Sequence, residues 1–333
     1  MRDPVNVTDM TAGSLFLHPP ALDLSIIIVS FNTRDILIQC VESVTTQGPD
    51  PAREAWVVDN GSDDGSAEAV RQRFPGVHRI ENRENRGFSA ALNQAIPQCR
   101  GKYLLFLNSD TRVPEGSLLG MIRFLNVHPE YSILSPQILD ERNRPCPMRL
   151  WEDCPRDAWL KILGLYDSER ERDRMPSDAS PREVEAVGGS CMMVRRDLLE
   201  RIGILDEGHF LYNEEDDLCR RARKAGFKIC YFPEASIVHL LGRSTHQPEA
   251  RERVILETYR SNLYFYSKYY SPAWNLALRW TYRAAFVLGM LRSLFRSWTG
   301  TARPGADDSA ALRLRLFFMK VPRAGKPTHP GKG

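Results

Sequence analysis

The chain has 333 residues, 42% hydrophobic and 26% charged, enough for one large domain with a packed core plus an appendage. A net charge of +3 is too small for a nucleic-acid binder, and its excess is uneven. From Arg279 onward Arg and Lys face only Asp307 and Asp308, which makes a basic tail on a near-neutral body.

Seven cysteines form no CxxC pair, and most sit in apolar settings such as GSCMMV and KICYF, the usage of buried thiols in a reducing cytosol. Met1–Pro20 lacks the apolar core of a secretory signal. No uninterrupted apolar stretch reaches the roughly 20 residues a spanning helix needs. The expected location is the cytoplasm.

Residues 1–23 are mixed, Pro-containing and aperiodic, and read as a loose N-terminal extension. LSIIIVSFN, residues 24–32, is a continuous β-branched run of the kind buried on both faces of a parallel sheet. In TRDILIQCVESVTTQ, Ile36, Leu37, Cys40, Val41 and Val44 share one helical face. EAWVVDNGSDDGS predicts a short strand stopping at Asp59, followed by the helix AEAVRQRF, the strand VHRIENREN, the helix GFSAALNQAIPQC and the strand GKYLLFLNSD. This alternation predicts an open, mostly parallel α/β sheet.

A further helix (EGSLLGMIRFLNVHP) and strand (YSILSP) continue the core, and residues 140–182 are charged and irregular, the composition of a mobile insertion. VEAVGGSCMMVRRDLLERIG resumes as strand then helix. Another helix follows, with Leu218, Ala222 and Ala225 inward and a stop at Gly226, and then a strand ending at His239.

In such sheets ligands bind at the carboxyl ends of the strands. Four apolar segments end there in polar residues: Ser30-Phe31-Asn32, Asp59-Asn60-Gly61, Asn85-Arg86-Gly87 and Asn108-Ser109-Asp110. One such stop would be a turn; four at one rim suggest a site. Asp110 is in isolation more often a turn aspartate ahead of Pro114, but it also suits a hard divalent cation shared with phosphate oxygens. Asp59 could accept from a base N–H, or close an Asx-turn. In YNEEDDLCRR, four successive acids repel one another unless they cap a helix or serve a site, and a carboxylate there could act as a general base. His239 ends a strand, where a lone histidine is either structural or a ligand. P-loop, GxGxxG and GxSxG patterns are absent.

Taken in order, SIIIVSFNTRDILIQCVESV, VVDNGSDDGS, ENRGFSAALNQAI, YLLFLNSDTRVP, VGGSCMMVRRDLLERIGILDEGHFLYNEEDDLCRRARKAGF and IVHLLGRS resemble a family-two inverting glycosyltransferase of the GT-A fold, in its bacterial rhamnosyltransferase-like branch. The resemblance covers roughly residues 24–245. It implies a GT-A catalytic domain at 24–255, with a helical, basic region at 256–333 ending in a disordered tail. It also implies that Ser30 and Asn32 line the nucleotide pocket, that Asp59 reads the pyrimidine, and that Asn85, Arg86 and Gly87 border nucleoside and sugar. Asn108-Ser109-Asp110 stands at the family's DxD-type motif, with Asp110 and the late His239 as ligands of Mg²⁺ or Mn²⁺. Glu215 falls at the catalytic-base position, flanked by Glu214 and Asp216, and Gly242, Arg243 and Ser244 sit in a loop expected to cover the diphosphate. Two departures stand out: Asn108 replaces the first acid of the DxD, and the base is Glu rather than the commoner Asp.

The implied reaction moves a sugar from a nucleotide-sugar donor to a hydroxyl of a glycan or lipid-linked glycan acceptor during bacterial surface-polysaccharide synthesis. Rhamnose from dTDP-rhamnose is the first donor, with a UDP-linked galactofuranose or hexose second. A non-catalytic nucleotide- or glycan-binding protein on the same fold is the alternative of another class. A sugar nucleotidyltransferase would want a Gly-rich basic loop after the first strand, which VSFNTRDIL does not supply. In the C-terminal region, Arg279 and Arg283 project nearly opposite to Arg292 and Arg296, which predicts two shorter helices divided near Gly289. Their Trp, Phe and Arg content suits peripheral contact at the cytoplasmic face of the inner membrane, packing on the catalytic domain, or a homo-oligomer.

Overall fold

The structure, a computed structural model, describes residues 15–152, 154–162, 180–240 and 248–298. Its centre is a mixed sheet in the order β3-β2-β1-β4-β8-β6-β9-β5, with β7 on β9. The first half is built from β1 (Leu22–Ser30), α1 (Arg34–Thr45), β2 (Arg53–Asp59), α2 (Ser66–Arg73), β3 (His78–Glu81), α3 (Phe88–Ala95) and β4 (Gly101–Asn108). Among themselves these four strands pair in parallel. Helices cover both their faces, so Ile26, Ile27, Ile28, Leu104, Leu105 and Leu107 are buried without alternation, as their β-branched and leucine-rich runs predict.

The second half comprises β5 (Thr111–Arg112), α4 (Ser117–Val127), β6 (Tyr131–Leu139), α5 (Pro155–Ile162), β7 (Arg182–Val184), β8 (Cys191–Arg195), α6 (Arg196–Ile202), α7 (Glu214–Lys224) and β9 (Lys228–His239). Here β8 runs antiparallel to β4 and β6, and β5 and β7 run antiparallel to β9. Uniform parallel pairing therefore stops at β4. Hydrophobic runs report burial, and they carry no sign of strand direction.

Two helices follow, α8 (Pro248–Tyr269) and α9 (Pro272–Trp298). The expected break near Gly289 does not occur, and α9 runs unbroken. At 100° per residue, its two arginine pairs bracket one apolar stripe rather than marking two helices. The end of the N-terminal extension is packed rather than loose: Leu15 is buried, Leu17 N–H donates to the Pro97 carbonyl at 2.7 Å, and the Arg196 guanidinium lies 3.7 Å from the Phe16 ring centre. The start of the charged segment after β6 is likewise pinned to α7, by Arg149–Asp216 and by Glu152 with Arg220 and Arg223. The tail beyond Trp298 and residues 163–179 of the charged insertion lie outside the described residues, so neither expectation is met or refused there.

Candidate active site

Strand register assembles the site. Ser30 pairs with Asp59 and Val29 with Asn108, so β1, β2 and β4 deliver their polar stops to one level of one edge. On the other side Thr111 pairs with His239, which sets the preceding Asp110 beside the end of β9. The result is a cleft of about 190 Å³ whose lining includes Ser30, Asn60, Asn85, Gly87, Asn108, Ser109 and Asp110. Phe210 and Tyr212 from the loop before α7, and Val254 and Glu257 from α8, close its other side.

Asp110 and His239 meet: Nε2 of His239 lies 3.1 Å from Oδ1 of Asp110, and the Leu240 N–H donates to the Asp110 carbonyl at 2.9 Å. Both are largely buried, with side-chain exposures of 4% and 15%. Beneath them, Thr33 Oγ1 donates to Ser109 Oγ at 3.0 Å and contacts Ser30 Oγ at 3.0 Å, so the floor is tied together by hydroxyls.

Six expected residues therefore line the cleft: Ser30, Asn85, Gly87, Asn108, Ser109 and Asp110. Asn32 does not. Its backbone turns left-handed (φ 52°), its Oδ1 accepts from the Asp63 N–H at 2.9 Å, and its own N–H donates to Ser62 Oγ, so it staples two loops. Asp59 is outside the lining too, because Ser62 donates its N–H (2.9 Å) and its hydroxyl (2.6 Å) to the two carboxylate oxygens. That is the Asx-type turn, although a carboxylate with two donors keeps further lone pairs at the strand end. Arg86 is outside the lining as well, and its backbone N–H reaches Asn60 Oδ1 at 3.4 Å. Arg243 lies outside the described residues.

Asn60, only 2% exposed, was legible merely as part of a polar stop, yet it organises the wall. Its Nδ2 donates to the Gly87 carbonyl (3.0 Å) and to Asn85 Oδ1 (3.3 Å), while its Oδ1 accepts from Asn82 (3.0 Å). Gly87 is required twice over. Its φ is 88°, and a Cβ there would sit 2.5 Å from the Phe210 carbonyl oxygen.

The acidic run at the start of α7 separates into three environments. Glu214 and Glu215 are hydrogen-bonded to each other, and Oε2 of each is buried without a hydrogen-bond partner among the described residues. Burial, then the Glu215 charge, pushes Glu214 well above the usual carboxylate range. Burial and the adjacent Asp216 charge raise Glu215 to about 7, against the opposing pull of Arg149. Asp216 is fully buried and paired with Arg149 Nη2 at 2.5 Å. Asp217 is a structural hub. Burial opposes its charge, but Arg221 (2.7 Å), Lys268 (2.5 Å) and the Tyr269 hydroxyl (2.5 Å) hold its carboxyl down to about 2.

The base candidate and the cleft share surroundings. Tyr212, on the cleft wall, has its phenol raised by burial and then by Glu214, Glu215 and Asp110, so all three acids act on one hydroxyl. A Cβ on Gly189 would lie 3.7 Å from Glu215 Cδ, and the next residue's carbonyl accepts from the Asn108 N–H at 3.1 Å. The Gly189–Ser190 step thus links the strand carrying the Asp110 loop to Glu215.

Asp206, His209 and Asp217 also bring three potential ligand atoms within 4.8 Å of one another. The Lys268 ammonium is bonded there to Asp206 (2.6 Å) and Asp217 (2.5 Å), which supplies the positive charge the acids need. His209, 0% exposed and pushed down to about 4 by burial, packs edge-on against Tyr264 and bonds Ser261 (2.9 Å). This cluster joins α7 to α8. Asp110 lines the cleft, whereas His239, which bonds to it, and Glu215 lie outside that lining.

The model of Glycosyl transferase family 2 matches residues 25–203, more than half of the chain. N-acetylglucosaminyl-diphospho-decaprenol L-rhamnosyltransferase of Mycobacterium tuberculosis is 28% identical over 261 residues, which are 72% of this chain and 84% of that protein. Rhamnosyltransferase WbbL of Escherichia coli K12 is 24% identical, over 64% of this chain and 82% of its own length. A crystal structure of GalNAc-T7 with UDP, GalNAc and Mn²⁺ aligns at a TM-score of 0.51 and 16% identity, a likeness of fold that covers 74% of this chain and half of that one. The strand-end cleft and the matched sequence therefore agree: the chain belongs to glycosyl transferase family 2, on the GT-A fold.

Proposed function

We propose that this glycosyltransferase moves rhamnose from dTDP-rhamnose to a hydroxyl of a glycan or lipid-linked glycan acceptor, with inversion. Two relatives carry rhamnosyltransferase names, and the mycobacterial name specifies a diphospho-decaprenol acceptor. The observation that carries the catalytic reading is the 3.1 Å approach of His239 to the cleft-lining Asp110, with Glu214 and Glu215 sharing the Tyr212 hydroxyl's surroundings.

The donor would lie along the strand ends. Ser30, Asn85, Gly87, Asn108 and Ser109 offer hydroxyls, amides and backbone groups on the cleft wall, and the Asp59 carboxylate at the end of β2 would accept from a pyrimidine N–H. Arg86 and Arg243 are assigned to the sugar and diphosphate by the family pattern; Asn32, which that pattern puts in the nucleotide pocket, instead holds two loops together. Asp110 and His239 fit a divalent cation: one carboxylate oxygen and one imidazole nitrogen, already converged, with phosphate oxygens to complete the set. Bound there, Mg²⁺ or Mn²⁺ would neutralise charge on the departing nucleotide diphosphate.

Glu215 then acts as the general base. Its Oε2 lacks a protein partner among the described residues and can take the acceptor hydroxyl's proton. As that proton moves, the acceptor oxygen bonds to the anomeric carbon from the face opposite the diphosphate, whose C–O bond breaks with the electron pair leaving on the phosphate oxygen. Glu214, kept protonated by burial, donates to Glu215 and holds it in place.

A thermal-shift series tests donor and metal together. dTDP-rhamnose with Mn²⁺ is expected to raise the melting temperature, with a smaller rise for UDP-sugars and none of the metal-dependent part in Asp110→Ala. Larger stabilisation by UDP-sugars would replace the donor. An undiminished metal effect in Asp110→Ala would remove that ligand.

A further inference from the structure

Helix α9 is attached to the molecule along one side. Leu278 and Asn275 are buried, Asn275 Nδ2 donates to the Leu263 carbonyl at 3.2 Å, Tyr282 stands edge-on to Tyr259 at 4.4 Å, and Trp274 meets Trp159 at 4.9 Å. The other side is apolar and open. Leu276, Trp280, Leu288, Leu291, Phe295 and Trp298 are between 53% and 84% exposed. At 100° per residue these six positions fall within an arc of about 120°, and the remaining positions on that arc are Ala, Val or Leu. At about 1.5 Å per residue the helix is about 40 Å long, far beyond the scattered apolar residues of an ordinary surface.

Charge borders the stripe. By helical phase Arg279 and Arg283 fall beside one edge of the stripe and Arg292 beside the other, Arg296 lies one further step round, and the helix contains no Asp or Glu. The sequence beyond it adds Arg303, Arg313, Arg315, Lys320, Arg323, Lys326 and Lys332 against Asp307 and Asp308. No described helix is long and apolar enough to cross a membrane, and a one-sided apolar stripe of this kind suits lying in an interface. Pairing two copies face to face would align arginines from both along one seam with no acid between them. An anionic headgroup layer instead supplies phosphates at the borders and acyl chains beneath the tryptophans.

We propose that the exposed face of α9 lies in the plane of an anionic lipid bilayer, with its tryptophan and leucine stripe below the headgroups and its flanking arginines among the phosphates. The assignment stands apart from the choice of donor or acceptor. It gives the cleft a fixed orientation to the bilayer, because Tyr259, which α9 packs against, lies on the same helix as the cleft residue Glu257.

The test is co-sedimentation of the full chain with phosphatidylcholine vesicles, with and without phosphatidylglycerol, followed also by tryptophan fluorescence. The wild type should bind the phosphatidylglycerol vesicles, blue-shift, and weaken as salt rises. The variant W280E/L291E should lose on the order of tenfold in partitioning while keeping its melting temperature and donor turnover. The second variant, R292Q/R296Q, leaves the stripe intact and should lose most of the preference for the anionic lipid. Absence of wild-type binding to either vesicle would overturn the proposal, as would unchanged binding of both variants. A wild-type dimer in solution that W280E/L291E converts to monomer would reassign the face to a second copy.

Discussion

At Glu215 the surroundings oppose the charge that the chemistry needs. Burial and Asp216 raise the carboxyl to about 7, from an ordinary value near 4.5. A base must be ionised, so kcat/KM is expected to climb with pH through an acidic limb near 7 and level off above it. Glu215→Gln should lower kcat by about 10³-fold or more, as loss of a general base does, with the fold intact. The same shift has a thermodynamic sign. A carboxyl whose folded pKa is raised binds more protons folded than unfolded, so its contribution is most favourable below about 4.5 and is lost as pH rises towards about 7. Glu215→Gln should therefore gain stability over the wild type across that window, by at most about 3.5 kcal/mol at one pKa unit per about 1.4 kcal/mol. Denaturant midpoints of the two proteins at pH 4.5, 6 and 8 would show the widening gap, and a constant gap would refute the raised carboxyl. Asp110 tests the other half of the site: Asp110→Asn should abolish stimulation by Mn²⁺ while leaving the melting temperature without metal close to that of the wild type.

Among the elements, the α7–α8 junction carries the most concentrated polar packing. Asp217 is fully buried and answers three partners, so Asp217→Ala takes a carboxylate from the Tyr269 hydroxyl and from Arg221, and leaves Lys268 with Asp206 alone of its two acids. Breaking a buried pair from one side costs about 3–5 kcal/mol, and urea unfolding should read a loss of that order. Activity should fall with it, since α8 brings Val254 and Glu257 to the cleft. Gly189 predicts the reverse dissociation of stability from function. A methyl there would make only ordinary contact with Glu215 at 3.7 Å, so Gly189→Ala should fold normally, whereas Gly189→Leu would fill the space before the base and raise the acceptor KM more than the donor KM. Equal effects on both substrates would place the acceptor elsewhere.

Across the whole molecule, what could be read in the sequence follows the range of the interaction. The strands β1 and β4 were legible because burial on both faces forces unbroken apolar runs, and the polar stops were legible because strand ends share an edge. Asp110 and His239, 129 residues apart, could be joined only through the family resemblance, and the structure brings them to hydrogen-bonding distance. Asn32 and Asp59 went to loop turns because short polar side chains next to backbone N–H groups satisfy those first. The antiparallel strands, the roles of Val254 and Glu257, and the partners of Asp216 and Asp217 left no local signal. Arg149 and Lys268 are ordinary surface residues by composition, and only packing reveals them as counter-charges. Similarly, the arginine pairs of α9 look contradictory on a helical wheel until the buried side is known, because the stripe between them is defined by what it fails to touch.

The most direct measurement is transfer by wild type and Glu215→Gln under one set of conditions: dTDP-rhamnose, Mn²⁺ and an N-acetylglucosaminyl-diphospho-lipid acceptor, with product counted by mass spectrometry. The wild type should form the rhamnosylated lipid with the anomeric configuration inverted. The variant, still binding donor by thermal shift, should form about 10³-fold less. A folded Glu215→Gln protein turning over within a few-fold of the wild type would contradict the assignment of the base, and with it the mechanism proposed for this site.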